Sequence, residues 1–258
     1  MPLQKGAIAQ KVKRVPVFTK TGLAGTTYDA GSSWTHRVGF GSNQLLVICL
    51  ASYANGYSDY IFSSVTFNGI AATRVIAQRV TGPDIYHGGY GIADVIQEVW
   101  YLVNPPSGSY TVAATLRYTP GKYSADAAIG ISISYTSTNQ ASPVDASSSS
   151  SGNSLSPVPI TPSITLSAAN ELVVQFVIQV DISVNYNVPV PVMSWLSGQT
   201  DRLKEGLSGE YENANVCDKV FASAGNQSMN GSIALDKSYN YGNAYWGSLL
   251  VAFKAVVT

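Results

Sequence analysis

The residues able to do acid, base or nucleophilic chemistry are few and widely spaced in this chain of 258 residues. Hydrolysis of a glycosidic bond needs two carboxylates that flank the bond. Asp94 and Glu98 form the closest pair on one predicted strand, whereas Glu205, Glu210 and Glu212 fall in a glycine-rich segment. β-Sandwich glycosidases cluster their carboxylates along a single strand, and Asp94 and Glu98 have no third carboxylate near them. We therefore interpret both as lying on a solvent-facing strand edge.

Histidine, serine and cysteine form no catalytic constellation either. A serine nucleophile needs a positioned base, and the sequence has no Gly-x-Ser-x-Gly elbow. His36 and His87 are too few for a histidine metal site, and His87 is predicted to lie exposed in a loop. Cys49 lies in a very apolar run and is predicted to be buried, while Cys217 lies in a more polar strand. The sequence therefore predicts no enzyme, no metal site and no cofactor.

Tyrosine is the side chain that crowds the predicted loops. Its flat apolar ring and its hydroxyl suit sugars or protein partners at a low entropy cost. Interface packing is the favoured interpretation, and glycan contact or no role at all are the alternatives. The candidate aromatic residues are Tyr57, Tyr60, Tyr86, Tyr90, Tyr239, Tyr241 and Tyr245.

The segments that would position these residues have the pattern of β-strands. From residue 30 onward, short runs rich in Val, Ile, Tyr, Phe and Thr are bounded by Gly, Asn, Pro and Ser. Residues 45–50 and 172–180 are nearly continuous apolar runs, which predict strands covered on both faces. No segment has a helical period, so the fold class is all-β. Strands are predicted near residues 34–39, 44–53, 61–68, 71–80, 94–103, 109–118, 127–136, 163–167, 170–181, 190–196, 200–204, 214–222, 228–236 and 245–257.

A serine- and proline-rich stretch near the middle of the chain, residues 141–162, is predicted to be a loop. The motif Asn43-Gln-Leu is echoed beyond it by Asn170-Glu-Leu, which indicates two pseudo-duplicated halves, residues 29–140 and 163–258. These halves could form two small sandwiches or two interleaved Greek keys. The low charge favours one shared core, so we predict a single jelly-roll-like antiparallel β-sandwich over residues 29–258.

The charges divide into a basic arm and an acidic body. The chain has 15 Lys and Arg against 15 Asp and Glu, and its 12% of charged residues is about half the usual 25%. Residues 1–28 are predicted to form an extended N-terminal arm, either partly disordered or docked on an acidic neighbouring subunit. Neutrality argues against nucleic-acid binding by the body, and no apolar run suits a membrane span or a signal peptide. The basic residues of the arm are Lys5, Lys11, Lys13, Arg14 and Lys20.

Four ordered segments resemble a β-sandwich module of tailed-phage virion structural proteins and bacterial surface proteins. They are residues 41–47 (GSNQLLV), 65–69 (VTFNG), 99–108 (VWYLVNPPSG) and 246–254 (WGSLLVAFK). The resemblance implies a virion or surface component and brings no catalytic motif with it. Since the sequence has no apparent secretion signal, we expect a virion protein assembled in the host cytoplasm, with the bacterial cell surface as the alternative.

The expected function is therefore non-enzymatic. We expect a capsid decoration or cement-type protein, or a head or tail appendage, that acts by assembly. Its partners would be further copies of itself, as a dimer or trimer, and the capsid protein. The alternative is a carbohydrate-binding module or a receptor-binding protein that uses the tyrosine-rich loops.

Overall fold

The computed structural model of the chain describes residues 13–23, 32–55, 61–84, 91–117, 125–154, 158–180, 192–196, 198–206, 212–234 and 244–256. Within these residues it contains 19 β-strands and no helix, which confirms the predicted all-β class. The strands are β1 Lys13–Leu23, β2 Ser32–Val38, β3 Leu45–Asn55, β4 Ile61–Phe67, β5 Ile70–Ala71, β6 Thr73–Asp84, β7 Gly91–Val103, β8 Gly108–Arg117, β9 Ala125–Thr136, β10 Val144–Ser154, β11 Val158–Ile160, β12 Ser163–Leu166, β13 Glu171–Val180, β14 Val192–Trp195, β15 Thr200–Gly206, β16 Glu212–Phe221, β17 Gly225–Ser228, β18 Gly231–Ala234 and β19 Ala244–Phe253.

These strands form four stacked layers. In the middle lie a first central sheet, ordered β1-β9-β3-β7-β6, and a second central sheet, ordered β10-β19-β13-β16-β15. A first outer sheet, β2-β8-β4-β5, covers the first central sheet, while β11-β18-β14 and β12-β17 form a second outer layer over the second. The strands pair antiparallel throughout the described residues. The predicted antiparallel β-sandwich architecture is confirmed.

The apolar runs of β3 and β13 explain why these two strands lie in the middle. Alternate side chains of a strand point to opposite faces of its sheet. Leu45 and Val47 pack in the core between the two central sheets, whereas Leu46 and Ile48 pack in the core under the first outer sheet. Because both faces are covered, both need apolar residues. The prediction of strands buried on both faces is confirmed.

The first sandwich has the wiring of a jelly roll. Its strands alternate between sheets along the chain, and early strands pair with late ones, β1 with β9 and β2 with β8. β5 pairs with β4 in the first outer sheet, and after Ala72 the chain enters β6, which pairs with β7 in the first central sheet. The fifth strand of the jelly roll is thus divided into β5 and β6, which lie in different sheets.

The second sandwich repeats this wiring. In the second central sheet, β10, β19, β13, β16 and β15 take the places that β1, β9, β3, β7 and β6 take in the first. The strands of the two sandwiches do not share a sheet in the described residues, where the isolated bridge Thr138–Ala255 is the only backbone β-pairing between them. The described strands form two sandwiches, because the late strands of each half return to the early strands of the same half. The core between the two central sheets nevertheless draws on both halves.

The two central sheets face each other around an approximate twofold axis along the strands. Tyr135 of β9 contacts Asp218 of β16, and at the equivalent place Tyr101 of β7 meets Phe253 of β19, with ring centroids 6.2 Å apart. Tyr135 and Phe253 are equivalent because each pairs with the first buried leucine of β3 or β13. Strand β3 therefore packs over β13, and β6 packs over β10 and β19.

Local irregularities repeat as well. The pairing of β6 with β7 shifts after Arg74, and the pairing of β15 with β16 shifts at the equivalent place after Asp201. Asn43 and Asn170 precede β3 and β13 with φ of 53° and 63°, in the left-handed region that asparagine tolerates better than most residues. The equivalence of the two sandwiches therefore extends to single residues.

The serine-rich stretch is a strand, so the prediction of a loop over residues 141–162 is wrong over β10. Val144 pairs with Phe253, and the ladder continues to Ser154 opposite Ala244. Backbone groups alone make this ladder, which is why a run of serines with weak strand propensity can adopt it beside the apolar β19. The second sandwich accordingly begins at Val144.

The basic N-terminal segment also contributes a strand. Lys13, Arg14 and Lys20 lie in β1, the edge strand of the first central sheet, so the predicted arm of residues 1–28 is not free over β1. The register shifts between Arg14 and Phe18, around Pro16, which has no N–H to donate. Lys5 and Lys11 lie outside the described residues.

Candidate functional site

A buried ion pair links the two sandwiches. Asp218 is fully buried, and its Oδ2 accepts hydrogen bonds from Tyr135 Oη at 3.0 Å and from Arg202 Nε at 2.7 Å. Arg202 Nη2 also donates to Oδ1 at 3.2 Å, which makes the pair bidentate. Because these donors come from both sandwiches and satisfy the carboxylate, Asp218 joins the two rather than serving as a free acid.

Glu98 is a second buried carboxylate, in the core between the first central sheet and the first outer sheet. Its carboxylate accepts from the backbone N–H of Phe62 at 3.1 Å and from Trp100 Nε1 at 2.7 Å, and Arg74 Nη1 lies 3.7 Å from Oε1. Burial raises the pKa of Glu98, and these neighbours oppose the rise. The prediction of a solvent-facing edge is therefore wrong for Glu98, which is fully buried on the inner strand β7. The side chain of Asp94 lies outside the described residues.

His36 is held between two serines in the same core. Its Nε2 lies 3.1 Å from Ser134 Oγ, and its Nδ1 lies 2.9 Å from Ser132 Oγ, which also accepts from Trp34 Nε1 at 2.9 Å. Burial lowers the pKa of His36 to about 4, so the imidazole is neutral at pH 7. The ring is fully buried, and without access for a substrate this Ser-His contact is a structural tie between β2 and β9.

The two cysteines are free thiols, and both are buried. Burial raises the pKa of each, so neither is a thiolate at neutral pH. Cys217 belongs to an apolar cluster of the second sandwich, and its Sγ lies 3.4 Å from Gln175 Oε1 and 3.3 Å from Gln199 Oε1. The predicted burial of Cys49 is confirmed.

A pair of carboxyl groups lies where the second sandwich begins, on Asp145 of β10 and Glu171 of β13. Ser167 donates to Asp145 through its backbone N–H at 2.7 Å and through its hydroxyl, and Lys254 Nζ lies 3.7 Å from Asp145 Oδ1. Glu171 is 1% exposed, and neither of its carboxylate oxygens meets a protein N–H or hydroxyl donor. Asp145 and Glu171 can therefore hydrogen-bond only by sharing a proton.

The pKa values of this carboxyl pair diverge. Burial, the hydrogen bond to Asp145 and the Asp145 charge raise the pKa of Glu171 to about 8, against which Lys254 acts. Burial also acts to raise the pKa of Asp145, but the two Ser167 hydrogen bonds, Glu171 and Lys254 outweigh it and lower that pKa. At pH 7 the pair therefore holds one proton, on Glu171. Neither residue was predicted as a site residue from the sequence, although Glu171 stands in the echoed motif where the first half has Gln44.

The end of β3, the end of β6, the start of β7 and the start of β19 flank the candidate tyrosines and lie at one end of the molecule, which we call the loop end. In the first sandwich, Asn55 pairs with Ala93 and Asp84 pairs with Gly91, so β3 ends where β7 begins and β6 ends. The start of β19 lies at this same end, because the ring of Tyr245 is placed against Gly82 of β6.

The structure places only one of the candidate tyrosines. Tyr245 is half-buried and packs against the core between the central sheets. The other six belong to the β3–β4, β6–β7 and β18–β19 connections and lie outside the described residues, as does His87. They are Tyr57, Tyr60, Tyr86, Tyr90, Tyr239 and Tyr241.

No group of three or more His, Cys, Asp or Glu side chains that could hold a metal ion occurs in the described part of the chain. Across the same ranges, no helix has the length and apolar character needed to cross a membrane. Comparisons with protein families, with curated proteins and with solved structures find no match to this chain.

Proposed function

We propose that this chain is a non-enzymatic structural protein of a virion, a capsid decoration or cement-type protein or a head or tail appendage, that acts by assembly. The proposal rests on one observation, that buried carboxylates link the sheets to one another. Glu98 ties the first central sheet to the first outer sheet, and Asp218 ties one sandwich to the other. These carboxylates are engaged in holding the sheets together and so make the scaffold rigid. A rigid scaffold suits a protein that acts by presenting fixed surfaces to its partners.

The virion assignment rests on the resemblance of the four sequence segments, and particle binding tests it. Purified chain is mixed with capsids assembled without it, and bound protein is measured by cosedimentation. We expect saturable binding that is lost when residues 1–12, with Lys5 and Lys11, are removed. This deletion keeps all of β1. Replacing both lysines by arginine is the matched control and should retain binding. Failure of the full chain to bind any particle would contradict the proposal.

A carbohydrate or receptor-binding role is the second candidate. The position of the loop end favours it, because strands of both sandwiches that flank six candidate tyrosines in the sequence begin or end there. Tyrosine loops grouped at one end suit a flat sugar or protein surface. Saturable glycan binding by the full chain, lost in Tyr57→Ala and Tyr241→Ala but kept in Thr111→Ala on β8, would establish this role. No binding across a broad glycan array would reject it.

A further inference from the structure

Strand β10 has an edge that no described strand covers, which we call its open edge. It pairs with β19 along one side from Val144 to Ser154, and no described strand pairs with its other side. In an antiparallel sheet, alternate residues of an edge strand direct their N–H and C=O groups outward. Such an edge is a template for another strand unless the protein protects it.

The other three edges of the central sheets carry protective features. Charged side chains, proline and bulges blunt an edge strand against further pairing. Strands β1, β6 and β15 each contain charged residues, and each has a register shift in its pairing with the neighbouring strand. The charged residues and prolines on these edges are Lys13, Arg14, Pro16 and Lys20 in β1, Arg74, Arg79, Pro83 and Asp84 in β6, and Asp201, Arg202, Lys204 and Glu205 in β15.

β10 has none of these features along most of its length. From Ala146 to Ser154 it contains no charged residue and no proline, and its pairing with β19 is regular. Its register shift lies at the very start, between Val144 and Ala146. Since β10 is the equivalent of β1, one and the same place in the fold is protected in the first sandwich and open in the second.

The open edge is best matched by a second copy of itself. The charged edges β1, β6 and β15 would bring lysine, arginine or carboxylate groups beside the stretch from Ala146 to Ser154, which has no countercharge. Paired over Ala146 to Ser154, two β10 strands bring only serine, glycine, alanine and asparagine together. An antiparallel arrangement makes this contact isologous and closed. We infer that β10 pairs antiparallel with β10 of a second copy across a twofold axis, which joins their second central sheets into one continuous sheet.

This inference names the interface for the self-assembly proposed above and rests on that function. An edge-to-edge contact buries little surface, so the dimer is expected to be weak and to depend on concentration. Sedimentation velocity of the full chain over a range of concentrations should show a monomer–dimer equilibrium. The double variant Ser149→Lys/Ser151→Lys places like charges on exposed positions that face each other across the axis, and should weaken the dimer at least about tenfold.

The matched control places the same charges on a strand without an open edge. Ser109 and Thr111 are exposed on β8, which lies between β2 and β4, so Ser109→Lys/Thr111→Lys should leave dimerisation unchanged. Circular dichroism establishes that both double variants are folded. Dimerisation that survives the β10 variant would overturn the edge inference and leave self-assembly standing, whereas a chain that is monomeric at every concentration would contradict both.

Single cysteines test the antiparallel geometry independently. In a twofold antiparallel pair, only a residue near the axis lies opposite its own copy, so only one or two positions of a series should form a symmetric disulfide. The series takes consecutive residues, so that it samples each position at which the axis can lie: Ser147→Cys, Ser148→Cys, Ser149→Cys, Ser150→Cys, Ser151→Cys, Gly152→Cys and Asn153→Cys. The native thiols are buried and should not compete. Crosslinking at every position would indicate parallel pairing, and crosslinking at none would reject the interface.

Discussion

Glu171 and Gln44 occupy the same place in the two sandwiches, but only Glu171 can ionise. Each follows an asparagine with positive φ and precedes the first buried leucine of its central strand. Gln44 Nε2 donates to the carbonyl oxygen of Gly39, and its Oε1 lies 3.4 Å from Ser107 Oγ. Glu171 instead lies against Asp145 and must keep a proton to do so.

This arrangement predicts that the stability of the protein depends on pH through Glu171. Its pKa is raised from 4.5 to about 8 in the folded protein, so the stabilisation by the bound proton is complete below pH 4.5 and is lost as the pH rises through 8. Glu171→Gln, which copies the residue of the first sandwich, removes this loss. We expect the variant to gain stability relative to the wild type between pH 5 and pH 9, measured by urea unfolding.

The comparison has an internal control. Near pH 5 the wild-type Glu171 is protonated in the folded state, and the neutral glutamine resembles it in shape and charge. The difference between variant and wild type should therefore be smallest there. Parallel pH profiles for the two proteins would show that Asp145 and Glu171 do not share a proton.

At the scale of elements, β1 and β10 show how one position in a fold can be built from very different sequences. Both are edge strands whose backbone pairs with the strand that ends their half, β9 or β19. One is basic with a proline, and the other is a run of serines. The two strands are equivalent because each forms the same backbone pairing at the edge of its sheet. Backbone hydrogen bonds depend little on side-chain type, so different sequences can form this pairing.

Removing β1 should therefore expose β9 as a new edge. Deleting residues 1–23 takes away the partner of Ala128 to Thr136, leaving their outward N–H and C=O groups unpaired. We expect this variant to aggregate or to unfold at lower urea concentration, measured by size-exclusion chromatography with light scattering and by urea unfolding. Deletion of residues 1–12 is the control and should remain well behaved. Equal behaviour of the two would show that β1 contributes nothing to the body.

At the scale of the whole molecule, the interface between the two jelly rolls contains two contacts related by the approximate twofold axis, one polar and one apolar. Tyr135 bonds to Asp218 on one side of the approximate twofold axis, and Tyr101 packs edge-on against Phe253 on the other. The polar version adds a directional bond to the apolar packing of β3 against β13. It therefore helps to fix how one sandwich sits on the other.

The polar contact is expected to contribute measurable stability. Tyr135→Phe keeps the ring but removes one donor from a buried carboxylate, which should cost about 1 to 2 kcal/mol in the free energy of unfolding. Tyr101→Phe removes a hydroxyl at the symmetric place without touching Asp218, and should cost less than about 0.5 kcal/mol. Urea unfolding followed by circular dichroism compares the two. Equal losses would show that the Asp218 bond adds nothing beyond packing.

Strands with strong apolar patterns could be predicted from the sequence, and strands defined by their neighbours could not. β3 and β13 are apolar on both faces, so local composition identifies them. β10 is a strand because its backbone hydrogen-bonds to β19. A run of serines does not by itself indicate that such a neighbour exists. Glu98 was misplaced for a related reason, since its spacing from Asp94 gives the face it lies on but not whether another sheet covers that face.

By itself the sequence determined the all-β class, the burial of the two apolar central strands and the echo of Asn43-Gln-Leu in Asn170-Glu-Leu. These are local properties, written in composition and spacing over a few residues. Tertiary structure decided that there are two sandwiches, that Asp145 meets Glu171, and that β10 has an open edge. Each of those depends on which distant segments come together, and pairing between backbones leaves little trace in the side chains of either strand.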